Sequence, residues 1–300
     1  MSQSAPVEYY DRYRKKICTE QIYGEGPLRW TVETRLGRLT TRAIVSRAIF
    51  SRLYGHLMDR PASRKKIAPF IEQYQLDASE FADPPDSFAS FNEFFYRKLK
   101  PGARPADPTP GAILFPADGR HLAIPNLSEV TGFFVKGQRF SLESFVQDEA
   151  LANRYATGAL VLSRLCPVDY HRFHFPVAGT PSAPRQIPGS LFSVNPLALR
   201  RNLAILWTNK RVLTELRTEN VGTILTVEIG ATNVGSIQQT YTPNAPVQAA
   251  AEKGYFAFGG SAVATLFEPG VIEFTPDLLE QSLQHRELYA HVGDRMATAL

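Results

Sequence analysis

Cysteine is scarce in this chain, and so are the signals of secretion and membrane insertion. The 300 residues contain two cysteines, Cys18 and Cys166, and no C-x-x-C pair. This scarcity excludes a disulfide framework and a cysteine-rich zinc site, and it favours a reducing compartment. The N-terminal segment has no apolar signal core, and no stretch is long and apolar enough to cross a bilayer. We therefore expect neither a cleaved secretion signal nor a membrane-spanning helix.

Apolar residues are plentiful enough for a sizeable core, since they make up 44% of the sequence. The 22 prolines and 20 glycines divide the chain into short segments, which is more typical of a β-rich or α+β protein than of a helical bundle. The resulting strand predictions are 113–115, 122–124, 132–135, 159–162, 203–207, 212–216, 223–229, 236–240 and 262–267. The predicted fold class is α+β, with a β-rich, mostly antiparallel core and an N-terminal helical region.

The N-terminal helical region is strongly basic. Between residues 31 and 66, nine Arg or Lys residues face two acidic ones, a local net charge of +7. Four apolar residues recur there at every fourth position, as on one face of a helix: Val45, Ile49, Leu53 and Leu57. Arg38 and Arg42 are displaced towards the other side of that helix. Taken alone, the pattern favours packing on the protein's own core over contact with an anionic membrane surface.

Two further helices are predicted before the β-rich part. One covers residues 65–75, after Pro61. The other opens with Ser90 and Glu93 in the spacing of a capping box and closes at Pro101-Gly102. No zinc-finger spacing or RNA-binding motif is recognisable, so nucleic acid is not an expected partner.

The segment 258–267, Phe-Gly-Gly-Ser-Ala-Val-Ala-Thr-Leu-Phe, breaks a strand pattern with two glycines and a serine. The common interpretation of such a break is a hairpin turn with an exposed serine. The alternative is that Ser261 attacks the carbonyl of Gly260. A residue without Cβ permits the strained backbone and the tetrahedral centre that this attack needs. The spacing alone does not decide between the two interpretations.

Three residues elsewhere could serve such a serine. Asp118 lies in Pro-Ala-Asp-Gly, where an aspartate is most often a turn residue. His171 and His174 lie three apart in an aromatic, proline-flanked stretch that favours extended chain, so their rings would point to opposite faces. One core and one surface histidine is the plain alternative. Asp118, His174 and Ser261 together supply an orienting carboxylate, a base and a nucleophile. No metal site is expected.

Six short motifs follow one another along the chain. They read FFYRKLKPGARP from residue 94, PADG from 116, VKGQ from 135, DYHRFH from 169, LFSVNP from 191 and FGGS from 258. Together they resemble the phosphatidylserine decarboxylase family. Tyr23-Gly24-Glu25 and the chain length resemble its bacterial branch, which carries a Gly-Gly-Ser cleavage site. The resemblance extends over roughly residues 24–293.

The resemblance implies a self-cleaving precursor. His174, oriented by Asp118, would take the proton from Ser261 as its oxygen attacks Gly260. The chain would divide into a large piece, 1–260, and a small piece, 261–300. The family usually has Thr or Ser after the serine, whereas this chain has Ala262. Because the nucleophile, the base and the orienting carboxylate are all retained, we expect the chain to be processed.

The resemblance also implies the cofactor and the reaction. Ser261 would become a covalent pyruvoyl group, which forms a Schiff base with the amine of phosphatidylserine. Carbon dioxide would leave, His171 would protonate the resulting carbanion, and the product would be phosphatidylethanolamine. The apolar surroundings expected for such a site favour the loss of a carboxylate charge.

A two-chain lipid substrate changes the interpretation of the basic helix. The resemblance implies a membrane-binding element, with Val45, Ile49, Leu53, Leu57, Arg38 and Arg42 as contacts. The expected location is the cell membrane, peripherally and on the cytoplasmic face. Expected partners are the membrane surface, the large and small chains of one precursor, and a second copy in a homodimer. The expected domains are a membrane-associating region, 1–105, and a β-rich catalytic domain, 106–300.

Two other functions remain open at this point. A related pyruvoyl-dependent enzyme could decarboxylate a soluble amino acid such as tryptophan, although such a protein would lack the basic amphipathic N-terminus. An unprocessed lipid-binding relative could keep the β core without activity. The presence of Asp118, His171, His174 and Ser261 argues against this second alternative.

Overall fold

The computed structural model describes most of the chain outside the N-terminal basic region. The described residues are 6–21, 26, 34, 55–129, 141–199, 202–231, 236–257 and 261–300. Several predicted features lie outside them: Arg38, Arg42, Val45, Ile49, Leu53, Gly260 and the strand 132–135.

Strands dominate the described residues. In chain order they are β1 (Glu8–Asp11), β2 (Lys16–Thr19), β3 (Ala112–Leu114), β4 (Gly119–Ile124), β5 (Ala159–Leu165), β6 (Arg172–His174), β7 (Thr180–Pro181), β8 (Arg185–Ile187), β9 (Arg211–Arg217), β10 (Thr223–Ile229), β11 (Ile237–Gln239), β12 (Glu252–Phe256), β13 (Ser261–Phe267), β14 (Ile272–Phe274), β15 (Glu287–Ala290) and β16 (Arg295–Ala299).

Helices are short and stand mainly between strands. The α-helices of the described ranges are α1 (Ile67–Tyr74), α2 (Phe91–Phe95), α3 (Leu142–Val146), α4 (Glu149–Arg154), α5 (Pro196–Leu199), α6 (Ile205–Thr208) and α7 (Pro276–Leu283). The 3-10 helices there are Pro61–Lys66, Ala78–Glu80 and Leu127–Glu129. The α+β class with a β-rich core is therefore confirmed.

A ten-stranded sheet organises the described residues. Its order is β2-β1-β15-β4-β5-β13-β10-β9-β7, and β8 also pairs with β9. The central ladders are antiparallel, whereas β1 pairs parallel with β15. Two three-stranded sheets accompany it, in the orders β11-β12-β6 and β14-β16-β3. The mostly antiparallel core predicted from the sequence is confirmed.

The central sheet is covered on both faces, because side chains alternate along each strand. On one face, Leu162 and Ala264 belong to a core that the helices α3 to α6 complete. On the other face, Val161 and Phe267 belong to a core shared with β3, β16 and α7. Burial on both faces explains why β5 and β13 read as nearly continuous apolar runs rather than as alternating ones.

The predicted capping box is present at the start of α2. The Ser90 hydroxyl accepts a hydrogen bond from the Glu93 N–H at 3.2 Å, and the Glu93 carboxylate accepts one from the Ala89 N–H at 2.6 Å. The helix predicted at 65–75 is also confirmed, as α1 preceded by the 3-10 helix that begins at Pro61.

The predicted strand at 203–207 is wrong, because the chain there forms the helix α6. The run Leu203–Trp207 is apolar and short, and such runs do not distinguish a buried strand from a buried helical turn. The Asn202 side chain accepts a hydrogen bond from the Ala204 N–H at 3.2 Å, which favours a helical start at this point.

The N-terminal residues add a feature that the sequence did not predict. Strands β1 and β2 form a hairpin, and β1 extends the central sheet through β15.

Residues 55–59 are helical. Leu57 is exposed, whereas Met58 is buried in an aromatic cluster with α1 and α2. The domain boundary at residue 105 stays a prediction. Among the described residues no helix has the length and apolar character needed to cross a membrane.

Candidate active site

Ser261 begins β13 and is completely buried. It pairs with Leu165, the last residue of β5. Its Oγ atom has no hydrogen-bond partner among the residues that the structure describes. Buried hydroxyls nearly always have a partner, and an exception requires an explanation such as a catalytic role. The interpretation of Ser261 as an exposed turn serine is therefore wrong.

A small apolar cluster surrounds this end of the sheet: Ala117, Leu165, Phe173, Phe256 and Val263. Ala117 adjoins Asp118, and Phe173 lies between His171 and His174. Leu165 and Val263 lie on the same face of the sheet as Ser261, by cross-strand pairing and by alternation. Packing of this cluster thus draws together the segments that carry all four predicted catalytic residues.

Asp118 is buried and held by an ion pair. Its carboxylate accepts hydrogen bonds from the Arg104 Nε atom at 2.9 Å and from the Val292 N–H at 2.8 Å. Arg104 also donates to both carboxylate oxygens of Glu80, at 2.9 and 3.0 Å. The next residue, Gly119, has to be glycine, because a Cβ there would lie 2.5 Å from the Arg164 carbonyl oxygen. Aspartate before glycine is thus a buried position between β3 and β4, not an exposed turn.

His174 is held at both ring nitrogens. Its Nδ1 atom lies 2.8 Å from the Ala250 carbonyl, and its Nε2 atom lies 3.3 Å from the Tyr170 hydroxyl. Because a carbonyl oxygen can only accept, Nδ1 carries the proton and Nε2 keeps its lone pair. Burial lowers the pKa of His174, against the opposing effect of the Ala250 contact. A neutral imidazole with an unprotonated Nε2 is the form that a general base requires.

His171 is fully buried just before β6. Its ring centroid lies 3.8 Å from that of Phe95, and its Nδ1 atom lies 3.0 Å from the Asp169 carbonyl oxygen. Nδ1 is therefore the protonated nitrogen here too. The His171 carbonyl accepts a hydrogen bond from the Phe256 N–H at 2.9 Å, which ties the loop to β12.

The segments that carry the four predicted residues thus meet at this apolar cluster, but the residues have partners that differ from those expected. Among the described residues, the orienting contact to His174 comes from the Ala250 carbonyl and not from Asp118. Asp118 remains close, since the His174 N–H donates to the carbonyl of Pro116 at 2.7 Å. Gly260, the other half of the predicted cleavage site, lies outside the described residues.

Sequence reasoning did not single out three residues that contact the site. Arg104 and Tyr170 lie inside motifs noted for other reasons, so a signal for them existed. Ala250 acts through its backbone carbonyl and has φ +60°, a left-handed conformation that is strained for alanine. No side-chain pattern could have indicated it.

The opposite face of the sheet carries a buried ionic network. Arg164 pairs with Glu20 at 2.5 Å and with Glu287 at 2.6 Å. Arg120 pairs with Asp169 at 2.5 Å, and its guanidinium lies 4.9 Å from the ring centroids of both Tyr9 and Tyr289. Arg120 and Arg164 are cross-strand neighbours on β4 and β5. The network therefore joins the N-terminal hairpin to the strands that carry the site.

One of these carboxylates titrates far from its ordinary range. Burial of Glu20 raises its pKa, but the charges and hydrogen bonds of Arg164 and Arg120 outweigh burial and lower it to about 2. Glu20 is therefore ionised at neutral pH. Within the described part of the chain, no group of three His, Cys, Asp or Glu side chains could hold a metal ion.

Ser261 is buried, its hydroxyl has no hydrogen-bond partner among the described residues, and the apolar cluster on its face of the sheet includes Phe173, which lies between the two histidines. These features are typical of enzymes that use serine as an intramolecular nucleophile. A family model described as phosphatidylserine decarboxylase matches residues 91–296. Relatives described as phosphatidylserine decarboxylase proenzyme cover 96% of this chain and of their own length: one from Fusobacterium nucleatum is 43% identical over 289 residues, and one from Chlamydia pneumoniae is 44% identical over 289. A relative from Desulfitobacterium hafniense with the same description is 41% identical over 290 residues. The chain belongs to the phosphatidylserine decarboxylase family.

Proposed function

We propose that this chain is the precursor of an enzyme that converts phosphatidylserine to phosphatidylethanolamine and carbon dioxide. The observation that carries the proposal is the Ser261 hydroxyl, buried and without a hydrogen-bond partner among the described residues, at the position of the Gly-Gly-Ser motif. Family membership over almost the whole chain supports the same reaction.

The first step is cleavage of the chain between Gly260 and Ser261. His174 Nε2 accepts the proton from the Ser261 hydroxyl as Oγ attacks the Gly260 carbonyl carbon. The peptide C–N bond breaks, the nitrogen takes the proton, and an ester joins the two pieces. A general base of this kind contributes about 10²–10⁴-fold to a rate.

Loss of the Ser261 Cα proton then expels the Gly260 carboxylate and leaves a dehydroalanine. Water hydrolyses its imine form to a pyruvoyl group and ammonia, so that the large piece ends at residue 260 and the small piece begins at 261. The site fits such a group, because the hydroxyl that is lost has no hydrogen-bond partner among the described residues. The pyruvoyl carbonyl would supply the electron sink for decarboxylation.

The remaining residues have distinct proposed roles. His171, fixed by Phe95 and by the Asp169 carbonyl, donates the proton that replaces the lost carboxylate. Asp118, paired with Arg104, holds the loop against which His174 is bound. The apolar cluster of Ala117, Leu165, Phe173, Phe256 and Val263 excludes water, which disfavours the carboxylate more than the charge-dispersed transition state.

We propose further that residues 1–105 include the membrane contact and that residues 106–300 form the catalytic domain. The exposure of Leu57, beside buried Met58, supports an apolar stripe that faces outwards. This arrangement suits a peripheral enzyme on the cytoplasmic face of the cell membrane, and a homodimer is compatible with it. Replacing Ile49 and Leu53 by Asp should abolish binding to anionic vesicles and spare cleavage. A variant that neither cuts nor folds would mean that the stripe packs inside the protein.

The substrate is tested by incubating the purified protein with vesicles of phosphatidylserine and, separately, with free tryptophan. We expect phosphatidylethanolamine and carbon dioxide from the lipid and no carbon dioxide from the amino acid. The uncut Ser261→Ala variant is the matched control and should release none from either. Turnover of tryptophan but not of the lipid would favour the alternative enzyme, and no turnover of either would favour a lipid-binding relative.

A further inference from the structure

Arg97 is a buried cation whose donors are largely unused. It follows α2 and is 5% exposed, and its guanidinium lies 4.7 Å from the ring centroid of Phe81 and 4.9 Å from that of Phe94. Among the described residues its hydrogen bonding is limited to a long contact of 3.4 Å from Nη1 to the Phe94 carbonyl, and Nε has no acceptor. A guanidinium has five N–H donors, so most of its hydrogen-bonding capacity is unmet in the described part of the chain.

Arg211 shows how this protein satisfies an arginine with a purely structural role. It is also buried, and it donates to the carbonyls of Phe145 at 2.6 Å, Ser144 at 2.7 Å and Asn209 at 2.9 Å. Burial lowers the pKa of both Arg97 and Arg211 to about 10. The two side chains therefore share burial and desolvation but differ in their acceptors. Among the described residues, Arg97 has one long contact to a backbone carbonyl, whereas Arg211 has three short ones.

The carboxylates nearest to Arg97 are engaged elsewhere. Asp118 and Asp169 act on its charge through space. Asp118 is bound to Arg104 at 2.9 Å and Asp169 to Arg120 at 2.5 Å. Neither forms a direct ion pair with Arg97 among the described contacts. A desolvated positive charge with unused donors thus lies within the electrostatic influence of Asp118.

The segment that carries Arg97 is fixed against the strand that carries the histidines. Arg172, the first residue of β6, donates from Nε to the carbonyls of Tyr96 at 2.9 Å and Arg97 at 3.4 Å. The neighbouring Phe95 ring packs on His171 at 3.8 Å between centroids. The backbone at Arg97 is consequently tied to the strand that carries His174.

We propose that Arg97 binds the phosphodiester group of the lipid substrate, an inference that rests on the proposed function. A guanidinium matches phosphate oxygens with parallel hydrogen bonds, and its binding is strong where water is excluded. The phosphodiester is attached to the serine Cβ, next to the reacting Cα, and it keeps its charge throughout the reaction. Binding the carboxylate instead would stabilise the ground state and oppose the loss of carbon dioxide. Arg97 therefore determines specificity for a phosphate-bearing serine over free serine.

The test compares Arg97→Met with the matched control Arg211→Met, which also removes a buried guanidinium. Both proteins should still cut between Gly260 and Ser261. Arg97→Met should raise the KM for phosphatidylserine in mixed micelles by about 10- to 100-fold, the size of a lost charged hydrogen bond, with kcat much less affected. Arg211→Met should leave KM unchanged.

A second measurement uses glycerophosphoethanolamine, which has the phosphodiester but no carboxylate. It should bind the wild type in calorimetry, and Arg97→Met should lose that binding. Inorganic phosphate and ethanolamine, used as separate probes, should bind far more weakly. Retained binding of glycerophosphoethanolamine by Arg97→Met would overturn the proposal. A loss that affects glycerophosphoserine alone would assign Arg97 to the carboxylate, and equal Arg97-dependent binding of inorganic phosphate would mean a general anion site; both outcomes overturn it.

Arg97→Lys keeps the charge if Arg97→Met does not fold. It should cut and should bind glycerophosphoethanolamine with an intermediate affinity. If both variants stay uncut, Arg97 is structural and the proposal is wrong. If the wild type binds glycerophosphoethanolamine through Arg97 but releases no carbon dioxide from phosphatidylserine, the proposed function fails while the binding site stands.

Discussion

The two faces of the central sheet differ sharply where β5 and β13 meet. On one face, Arg164 and its cross-strand neighbour Arg120 lie in a network of short ion pairs with Glu20, Glu287 and Asp169. On the other face, one residue further along, Ser261 lies among apolar side chains, and its hydroxyl has no partner among the described residues. The charged groups on the first face pair closely with one another, whereas the Ser261 hydroxyl on the second face has no partner among the described residues. The contrast between Arg211 and Arg97 repeats this pattern.

Removing the Ser261 hydroxyl should have the largest effect, because it removes the group that distinguishes the second face. Ser261→Ala should remain uncut and release no carbon dioxide, because no oxygen remains to attack Gly260 or to form the prosthetic group. Ser163→Ala is the matched control. Ser163 is also buried on that face, but its hydroxyl lies 2.9 Å from His121 Nδ1. Denaturing electrophoresis should give one band for Ser261→Ala and two for Ser163→Ala. Two bands from Ser261→Ala would contradict a serine-driven cut.

The two histidines should separate the two reactions at the serine face. His174→Ala should slow cleavage by about 10²–10⁴-fold and accumulate precursor, since the base is lost. His171→Ala should cut normally, yet its cut protein should release little carbon dioxide. Timed electrophoresis and trapping of carbon dioxide measure the two effects separately. If neither variant is cut, both histidines act in cleavage and the proposed division is wrong.

Substitutions in the ionic network of Arg120 and Arg164 should change the free energy of unfolding rather than the rate of cleavage or decarboxylation. In the uncut Ser261→Ala background, Arg164→Met should lower the free energy of unfolding by about 3–5 kcal/mol, because Glu20 and Glu287 keep buried charges with weakened pairing. The exposed pair of Arg154 and Glu215 provides the control. There, Arg154→Met should cost about 1 kcal/mol or less. Equal costs for the two variants, measured by urea unfolding, would contradict the distinction.

The ionic network should also make the stability of the protein depend on pH, with a smaller effect. The pKa of Glu20 falls from 4.5 in the unfolded chain to about 2 in the folded one. Its contribution to stability is therefore complete above pH 4.5 and lost as the pH falls from there towards 2. In the uncut background, the stability difference from Glu20→Gln should shrink across that window. A difference that does not change between pH 6 and pH 3 would contradict the lowered pKa.

The pH dependence of the rate of cleavage at Ser261 should instead reflect the protonation of His174. Burial lowers its pKa below the ordinary 6.5, so the neutral base is present at pH 7 and its share decreases only at a more acidic pH. Precursor from a short pulse of cell-free synthesis should cut at a rate that is constant above pH 7 and falls in acid. A rate that first falls between pH 8 and pH 7 would indicate a raised pKa and contradict this account.

The sequence was most informative where function constrains side chains. Asp118, His171, His174 and Ser261 stand in short motifs, and the structure gathers their segments around one apolar cluster. Extended chain at β6 follows from its aromatic composition and flanking prolines. Strand β10 follows from a β-branched run and β13 from a nearly continuous apolar one.

Other features depend on contacts between distant parts of the chain. The Ala250 carbonyl reaches His174 across 76 residues and involves no distinctive side chain. The polar four-residue strands β1 and β2 exist because β15, near the other end of the chain, pairs with them through β1. The run at 203–207 was ambiguous in sequence, because a short apolar run fits a buried strand and a buried helical turn equally well.

The central claim is that Ser261 becomes the N-terminal prosthetic group of a small chain. The most direct test is intact-mass and N-terminal analysis of the purified wild-type protein. The account predicts two chains, one ending at Gly260 and one beginning at residue 261 with a pyruvoyl group and no free amine. Reduction with borohydride in the presence of phosphatidylserine should add the mass of the lipid to the small chain alone. A single intact chain of 33.4 kDa, or a small chain that begins with an unmodified Ser261, would contradict it.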